Sequence, residues 1–132
     1  MPAAEGFGYE AGGDIGPAVF VMRSTTEGNV VLEATAGAQI LGISQRWTRN
    51  PPYSSLDDGL AAIDGEGLRV FIQGEVCGLL LGAAVTAGDR LKATTDGKGI
   101  AATSGDEFGA VAHRDGVEDE IIEVTVERGV LP

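Results

Sequence analysis

The sequence is poor in the residues that build disulfide-bonded, metal-binding or membrane-spanning proteins. It has one cysteine and one histidine, which excludes an internal disulfide and a metal site built from clustered cysteines. No apolar run approaches the ~18 residues that a membrane-spanning helix needs. The first residues lack the basic and apolar regions of a signal peptide. We therefore expect a protein that is made and assembled in a cytoplasm, without cofactor, metal or membrane attachment.

Positive charge is scarce as well. Nine Lys and Arg residues stand against 20 Asp and Glu residues, which gives a formal net charge of −11. Binding to nucleic acid, a polyanion, requires clustered basic side chains. We therefore expect no nucleic-acid partner, whereas a protein partner with a neutral or basic surface is compatible with this charge.

Glycine is abundant, with 21 residues in a chain of 132, more than twice the usual ~7%. There is no Gly-X-Y period, which excludes collagen. Such glycine usage suits an all-β chain with many tight turns, because glycine adopts the backbone conformations that turns require. The length suits a single domain that can bury its own core.

Short runs rich in branched residues, separated by turn signals, predict strands from Ala18 onward. The last run, 120–127, alternates most clearly and places Ile122, Val124 and Val126 on one face. Asp96-Gly97 predicts a hairpin turn, because it supplies the positive φ that a tight turn needs. We therefore expect a small, compact β-barrel or sandwich. The other predicted strands are 18–23, 30–34, 39–44, 68–73, 75–81, 89–94 and 108–113.

Two segments depart from this pattern and divide the chain into an extended N-terminal arm, 1–17, and a β-domain, 18–132. Within the β-domain, residues 45–67 predict a long loop, and loops of this length are usually functional or disordered. Aromatic residues and arginine dominate protein interfaces, so both segments supply candidate contacts. These candidates are Phe7, Tyr9 and Ile15 in the arm, and Arg46, Trp47, Arg49 and Tyr53 in the loop. Trp47 could instead cap the domain's own core.

No motif in the chain indicates catalysis. His113 is interpreted as an ordinary histidine at a strand end, and Cys77 as a small buried hydrophobic residue without a basic neighbour. The adjacent acids Asp57-Asp58, Asp106-Glu107 and 118–120 are interpreted as solvated turns, since a glycosidase needs two carboxylates facing each other across a cleft. We therefore expect no enzyme activity.

Two stretches of the sequence resemble each other. Ala34-Thr35-Ala36-Gly37 and Ala102-Thr103-Ser104-Gly105 each lead within a few residues to a short strand that contains glycine. Without a fixed period, this similarity indicates a recurring turn-and-strand unit and not a solenoid.

Several motifs from Val30 to Arg128 are similar, in order and spacing, to those of the bacteriophage capsid decoration, or cement, proteins. The most specific is Gly82-Ala83-Ala84-Val85-Thr86-Ala87-Gly88-Asp89-Arg90-Leu91-Lys92, which matches the family's G-A-x-V-T-A-G-D-x-L-K. The others are 34–44, 70–76, 95–100, 105–112 and the terminal strand 121–126. The resemblance covers about three-quarters of the chain.

This resemblance implies a structural protein of the virion, with no enzyme activity. Cement proteins have a compact β-domain, and many sit as trimers on the outer face of the phage head, where they bind the major capsid protein and stabilise the shell. The resemblance therefore implies a homotrimer, with a dimer as the other possibility, located on the capsid exterior. The 1–17 arm and the 45–67 loop depart from the family's usual pattern.

Two other functions remain open at the level of sequence. Val85 to Leu91 is similar to the turn of lipoyl and biotinyl carrier domains, and Lys98 lies on a hairpin as their modified lysine does, although Asp96-Gly97-Lys98-Gly99 departs from their motifs. A glycan-binding module on the head surface is the other alternative.

Overall fold

All regular elements in the described part of the chain are β-strands, which confirms the all-β prediction. The computed structural model describes residues 8–24, 29–46 and 59–132. Within these ranges no helix has the length and apolar character to cross a membrane. The strands are β1 (Gly8–Ala11), β2 (Phe20–Arg23), β3 (Val30–Glu33), β4 (Gly42–Ser44), β5 (Gly67–Phe71), β6 (Val76–Leu80), β7 (Arg90–Ala93), β8 (Gly99–Ala101), β9 (Glu107–Ala112) and β10 (Ile121–Val130).

The first five strands close into a barrel in the order β1-β3-β2-β4-β5. Strand β1 closes it by pairing in parallel with β3 and antiparallel with β5. The interior is filled by alternating apolar residues, because successive side chains of a strand point to opposite faces. These core residues are Ala11, Ile15, Val19, Val21, Val31, Leu41, Ala61, Ala62, Leu68 and Val70.

The last five strands form a second sheet in the order β6-β10-β9-β7-β8. A single parallel bridge between Leu81 and Gly99 connects the end of β6 to β8, so this sheet also curls back on itself. Strand β10 shows the predicted alternation: Ile122, Val124 and Val126 are buried and Glu123 is exposed.

The two halves of the chain repeat the same topology. Strands β6 to β10 correspond in order to β1 to β5, and every pairing in the first half has a counterpart in the second. The parallel β1–β3 pair corresponds to the parallel bridge between β6 and β8. Equivalent residue pairs include Val21–Gly42 with Leu91–Ala110, Ile15–Ala62 with Val85–Gly116, and Tyr9–Leu68 with Leu79–Ile122.

This internal repeat explains the similarity between 34–37 and 102–105. Thr35 and Thr103 each accept a backbone hydrogen bond across a turn, and both turns place a glycine with positive φ at the same position. The repeats differ between their fourth and fifth strands, where residues 45–66 in the first correspond to only 113–120 in the second. The predicted long loop is therefore an insertion into the first repeat, and its residues 47–58 lie outside the described residues.

Residues 8–17 do not form the extended N-terminal arm that the sequence predicts. Gly8–Ala11 is the closing strand of the first barrel, and Ile15 forms a bridge with Ala62. The segment lacked a clear strand pattern in the sequence, because its burial depends on β3 and β5, which lie far away along the chain. Residues 1–7 lie outside the described residues.

A shared core joins the two repeats into one unit. Phe20 and Ile43 point out of the first barrel and pack with residues of the second sheet, among them Leu79, Leu91 and Val124. Two backbone hydrogen bonds cross the same boundary, Leu80 N to Ala18 O and Phe20 N to Gly97 O. Burial of apolar surface at this boundary stabilises one repeat against the other.

Five turns share one arrangement, in which an acidic side chain completes the turn. The fourth residue is Asp or Glu, and its carboxylate accepts a hydrogen bond from the backbone N–H of the first residue, 2.8 to 3.1 Å away. The third residue has a φ between 68° and 91°, while the second has an ordinary negative φ, as in a type II turn. These turns are 63–66, 72–75, 86–89, 103–106 and 117–120. Many acids of this chain therefore serve its turns.

Candidate functional site

A groove with two arginines lies along strands β6 and β10. We call it the arginine groove; its volume is about 410 Å³, within the range of binding pockets. Strands β6 and β10 pair antiparallel and form its floor, and one arginine from each repeat contributes to it. Its lining residues are Arg46, Val76, Cys77, Gly78, Arg114, Ile121, Ile122 and Glu123.

The two arginines occupy equivalent positions in the two repeats. Arg46 follows Gln45, whose N–H donates to the carbonyl of Arg69 in β5; Arg114 follows His113, whose N–H donates to the carbonyl of Glu123 in β10. Both arginines are exposed. Of the described side chains, none forms an ion pair or hydrogen bond with either guanidinium group.

Gly78 makes room for Arg46 to cross from the first repeat onto the second. A Cβ atom at position 78 would lie 3.5 Å from the Cδ of Arg46 and 2.8 Å from the Cγ2 of Ile121. A side chain at this position would therefore force Ile121 to move and would narrow the groove beside Arg46.

The floor of the groove includes apolar residues that are partly open to solvent. Val76, the first residue of β6 at the edge of its sheet, is 52% exposed. Cys77 is half-buried and packs against the shared core. Burial, together with the nearby charge of Glu75, raises the pKa of the Cys77 thiol to about 12, so the thiol stays protonated and unreactive at neutral pH.

The groove also contains one acid, Glu123, which is engaged by the only histidine. The Oε1 of Glu123 lies 3.3 Å from Nδ1 of His113, and Nε2 of His113 lies 2.6 Å from the hydroxyl of Thr125. His113 is thus an exposed residue just past the end of β9, as predicted, and bonds to side chains of the adjacent strand.

The predicted interface residues have different surroundings in the structure. Arg46 lines the groove. Tyr9 is half-buried against the core of the first barrel. Ile15 is fully buried in that core and is not accessible to a partner, because its side chain fills the barrel interior. Phe7, Trp47, Arg49 and Tyr53 lie outside the described residues.

Two residues of the groove, Arg114 and Val76, were not predicted from the sequence. The signal available for Arg114 was the repeat itself, since Gln45-Arg46 and His113-Arg114 stand at equivalent places. Val76 was counted as part of a strand buried on both faces, and its exposure depends on which strands neighbour β6.

The described part of the chain offers no candidate metal site. Across the ranges 8–24, 29–46 and 59–132, no group of three or more His, Cys, Asp and Glu residues could hold a metal ion. Lys98, the residue that a carrier domain would modify, forms an ion pair with Asp119 at 3.2 Å, and its side chain is 32% exposed.

The profile of the phage structural cement proteins, described as structural cement protein (E217 gp24/Pam3 gp6), matches residues 3–127. The chain belongs to the phage structural cement protein family. The cement protein is thus a non-enzymatic structural component of a phage virion, and the resemblance noted in the sequence is confirmed.

The fold of the cement protein is also similar to that of a solved phage structure, the base of the head fiber gp8.5 of bacteriophage phi29. The two share 14% sequence identity over 96% of each chain, with a TM-score of 0.57. At this identity the likeness shows a shared fold. A comparison with curated protein sequences finds no match.

Proposed function

We propose that this cement protein binds the outer surface of the major capsid protein lattice and stabilises the phage head. The observation that carries the proposal is the match of the cement family over residues 3–127. The fold supports it, because two repeats joined by a shared core and bounded by hydrogen-bonded turns form a stiff unit. A stiff protein loses little conformational entropy when it binds.

A capsid presents the same binding site many times, so weak individual contacts are sufficient to hold the protein on the shell. If the protein binds as an oligomer, every further contact of that oligomer with the shell becomes intramolecular and benefits from a high effective concentration. We therefore propose self-association, as a homotrimer or otherwise a dimer, on the exterior of the capsid. The contacts proposed for this surface are Arg46, Trp47, Arg49 and Tyr53, with Phe7 and Tyr9 near the N-terminus.

Co-sedimentation with expanded heads that lack the protein tests the proposal. We expect saturable binding and heads that resist heat or chelators better when the protein is bound, with a saturation ratio that reports the lattice site. Light scattering of the free protein measures its oligomeric state. A protein that binds no head at any concentration would contradict the proposed function.

Trp47 tests the proposed interface directly. Truncation of a central aromatic residue in an interface usually weakens binding by tenfold or more, so we expect Trp47→Ala to lower head occupancy and to leave the melting temperature of the free protein unchanged. Val117→Ala, which truncates an exposed apolar side chain outside the proposed contacts, is the control and should bind as the original protein does. If Trp47→Ala lowers only the melting temperature, Trp47 caps the core.

A further inference from the structure

The arginine groove places two arginines beside an exposed valine on a strongly acidic protein. The chain carries 20 acids and nine bases, and two of these nine line one groove. No described carboxylate pairs with Arg46 or Arg114, although other cations do form pairs: Arg69 with Glu75 at 2.9 Å and Lys92 with Asp106 at 2.8 Å. Both guanidinium groups are thus without an ion-pair partner among the described residues, although Glu123 also lines the groove.

The shape of the groove suits an extended chain. Its floor follows two hydrogen-bonded strands, with Val76 to Gly78 on β6 and Ile121 to Glu123 on β10. Val76 is 52% exposed and offers an apolar contact on the same face of β6 as Gly78. A segment that binds here would touch both repeats, because Arg46 belongs to the first and Arg114 to the second.

We infer that the arginine groove binds an extended, acidic segment of the major capsid protein; this rests on the proposed function. Charge complementarity selects the occupant. A guanidinium group forms two parallel hydrogen bonds with a carboxylate, which gives both strength and orientation. A small apolar side chain of the segment packs on Val76. Glu123, which pairs with Gly78 on the floor, disfavours an acidic side chain of the segment directly above it.

The test measures binding of the full-length protein to expanded heads that lack it, with three variants and one control. Arg46→Ala and Arg114→Ala each remove one positive charge from the groove, and Val76→Asp adds a negative charge at an exposed position. Arg90→Ala is the matched control, since Arg90 is exposed and lies over the Phe108 ring outside the groove. Arg90→Ala changes the net charge by the same amount as Arg46→Ala or Arg114→Ala.

We expect Arg46→Ala and Arg114→Ala each to bind heads roughly tenfold more weakly or worse, the usual effect of losing a hydrogen-bonded charge pair in an interface. Val76→Asp should weaken binding as well, because its carboxylate repels an acidic segment. The control should bind within about twofold of the original protein. Binding of the original protein should weaken as salt is raised, because salt screens the charges, and the double variant Arg46→Ala/Arg114→Ala should respond less to salt.

Three outcomes would overturn the inference. If the original protein binds heads and the groove variants bind equally well, the groove is not the contact, although the proposed function stands. If the variants lose self-association measured by light scattering, the occupant is a second copy. If all three variants lose thermal stability in parallel with binding, the groove is filled by the chain's own residues. Failure of the original protein to bind any head would instead reject the proposed function.

Discussion

Gly105 occupies a turn position whose backbone conformation only glycine adopts at low cost. Its φ is +90°, and a Cβ atom added there would have no neighbour within 4 Å. Gly105→Ala therefore introduces backbone strain without a steric clash, and we expect it to lower the free energy of unfolding by about 1–2 kcal/mol. Chemical denaturation monitored by circular dichroism measures this loss.

Gly67→Ala is the matched control for Gly105→Ala. It also has open space around it, but its φ lies outside the positive range. Gly67→Ala should leave the free energy of unfolding unchanged or raise it by up to ~1 kcal/mol, because alanine restricts the unfolded chain. If both variants lose the same free energy of unfolding, the positive φ is not the reason that the turn requires glycine at position 105.

At the scale of elements, the turn 103–106 is joined to strand β7 by an ion pair. Asp106 accepts hydrogen bonds from Lys92 at 2.8 Å and from the N–H and hydroxyl of Thr103, both at 2.8 Å. The bond from Lys92, followed by those from Thr103, lowers the pKa of the Asp106 carboxyl to about 2 from 3.8.

Because the pKa of Asp106 is lower in the folded protein than in the unfolded chain, its contribution to stability is complete above about pH 4 and is lost as the pH falls toward 2. We expect Asp106→Asn to lower the melting temperature at pH 7 and to flatten its dependence on pH between 4 and 2. Asp96→Asn, in the hairpin between β7 and β8, is the control. Identical pH profiles for Asp106→Asn and the original protein would refute this role.

At the scale of the whole molecule, Phe20 joins the two repeats. It is fully buried, and its neighbours in the shared core come from both halves of the chain. We expect Phe20→Ala to lower the free energy of unfolding by about 3–5 kcal/mol. In the original protein we expect one cooperative transition by circular dichroism and by hydrogen exchange, because neither repeat buries this surface alone.

Leu68→Ala provides the comparison, since Leu68 is buried inside the first barrel and not between the repeats. We expect it to destabilise the protein by about 2–5 kcal/mol and to preserve the single transition. Two separate transitions in the original protein would show that the repeats unfold independently and that Phe20 does not couple them.

The predicted strands agree well with the structure wherever neighbouring residues along the chain show a clear pattern of apolar and polar side chains. Strand β10 was predicted from its alternation, and the hairpin at Asp96-Gly97 from turn chemistry; Gly97 has a φ of +80°. Strands β1 and β8 were missed. Each is short, and β8 directly follows the hairpin turn, so neither has a run of alternating residues long enough to be recognised.

The candidate site was predicted only in part, because it is assembled from distant parts of the chain. Arg46 was singled out as an arginine in a long loop, whereas Arg114 and Val76 acquire significance only when β6 pairs with β10. Ile15 was expected to contact a partner and instead fills the first barrel. The same apolar residue suits either role, and the sequence around it does not distinguish them.

The amino-acid sequence by itself determined the features that depend on neighbours along the chain. These are the all-β character, the alternation of β10, the turns with glycine at positive φ and the excess of acids. The order of the motifs also indicated the cement family. The tertiary structure alone decided the closure of the first barrel, the extent of the internal repeat and the arginine groove. These depend on pairing between residues far apart in sequence, and period-two patterns specify which face of a strand is buried but not which strand lies beside it.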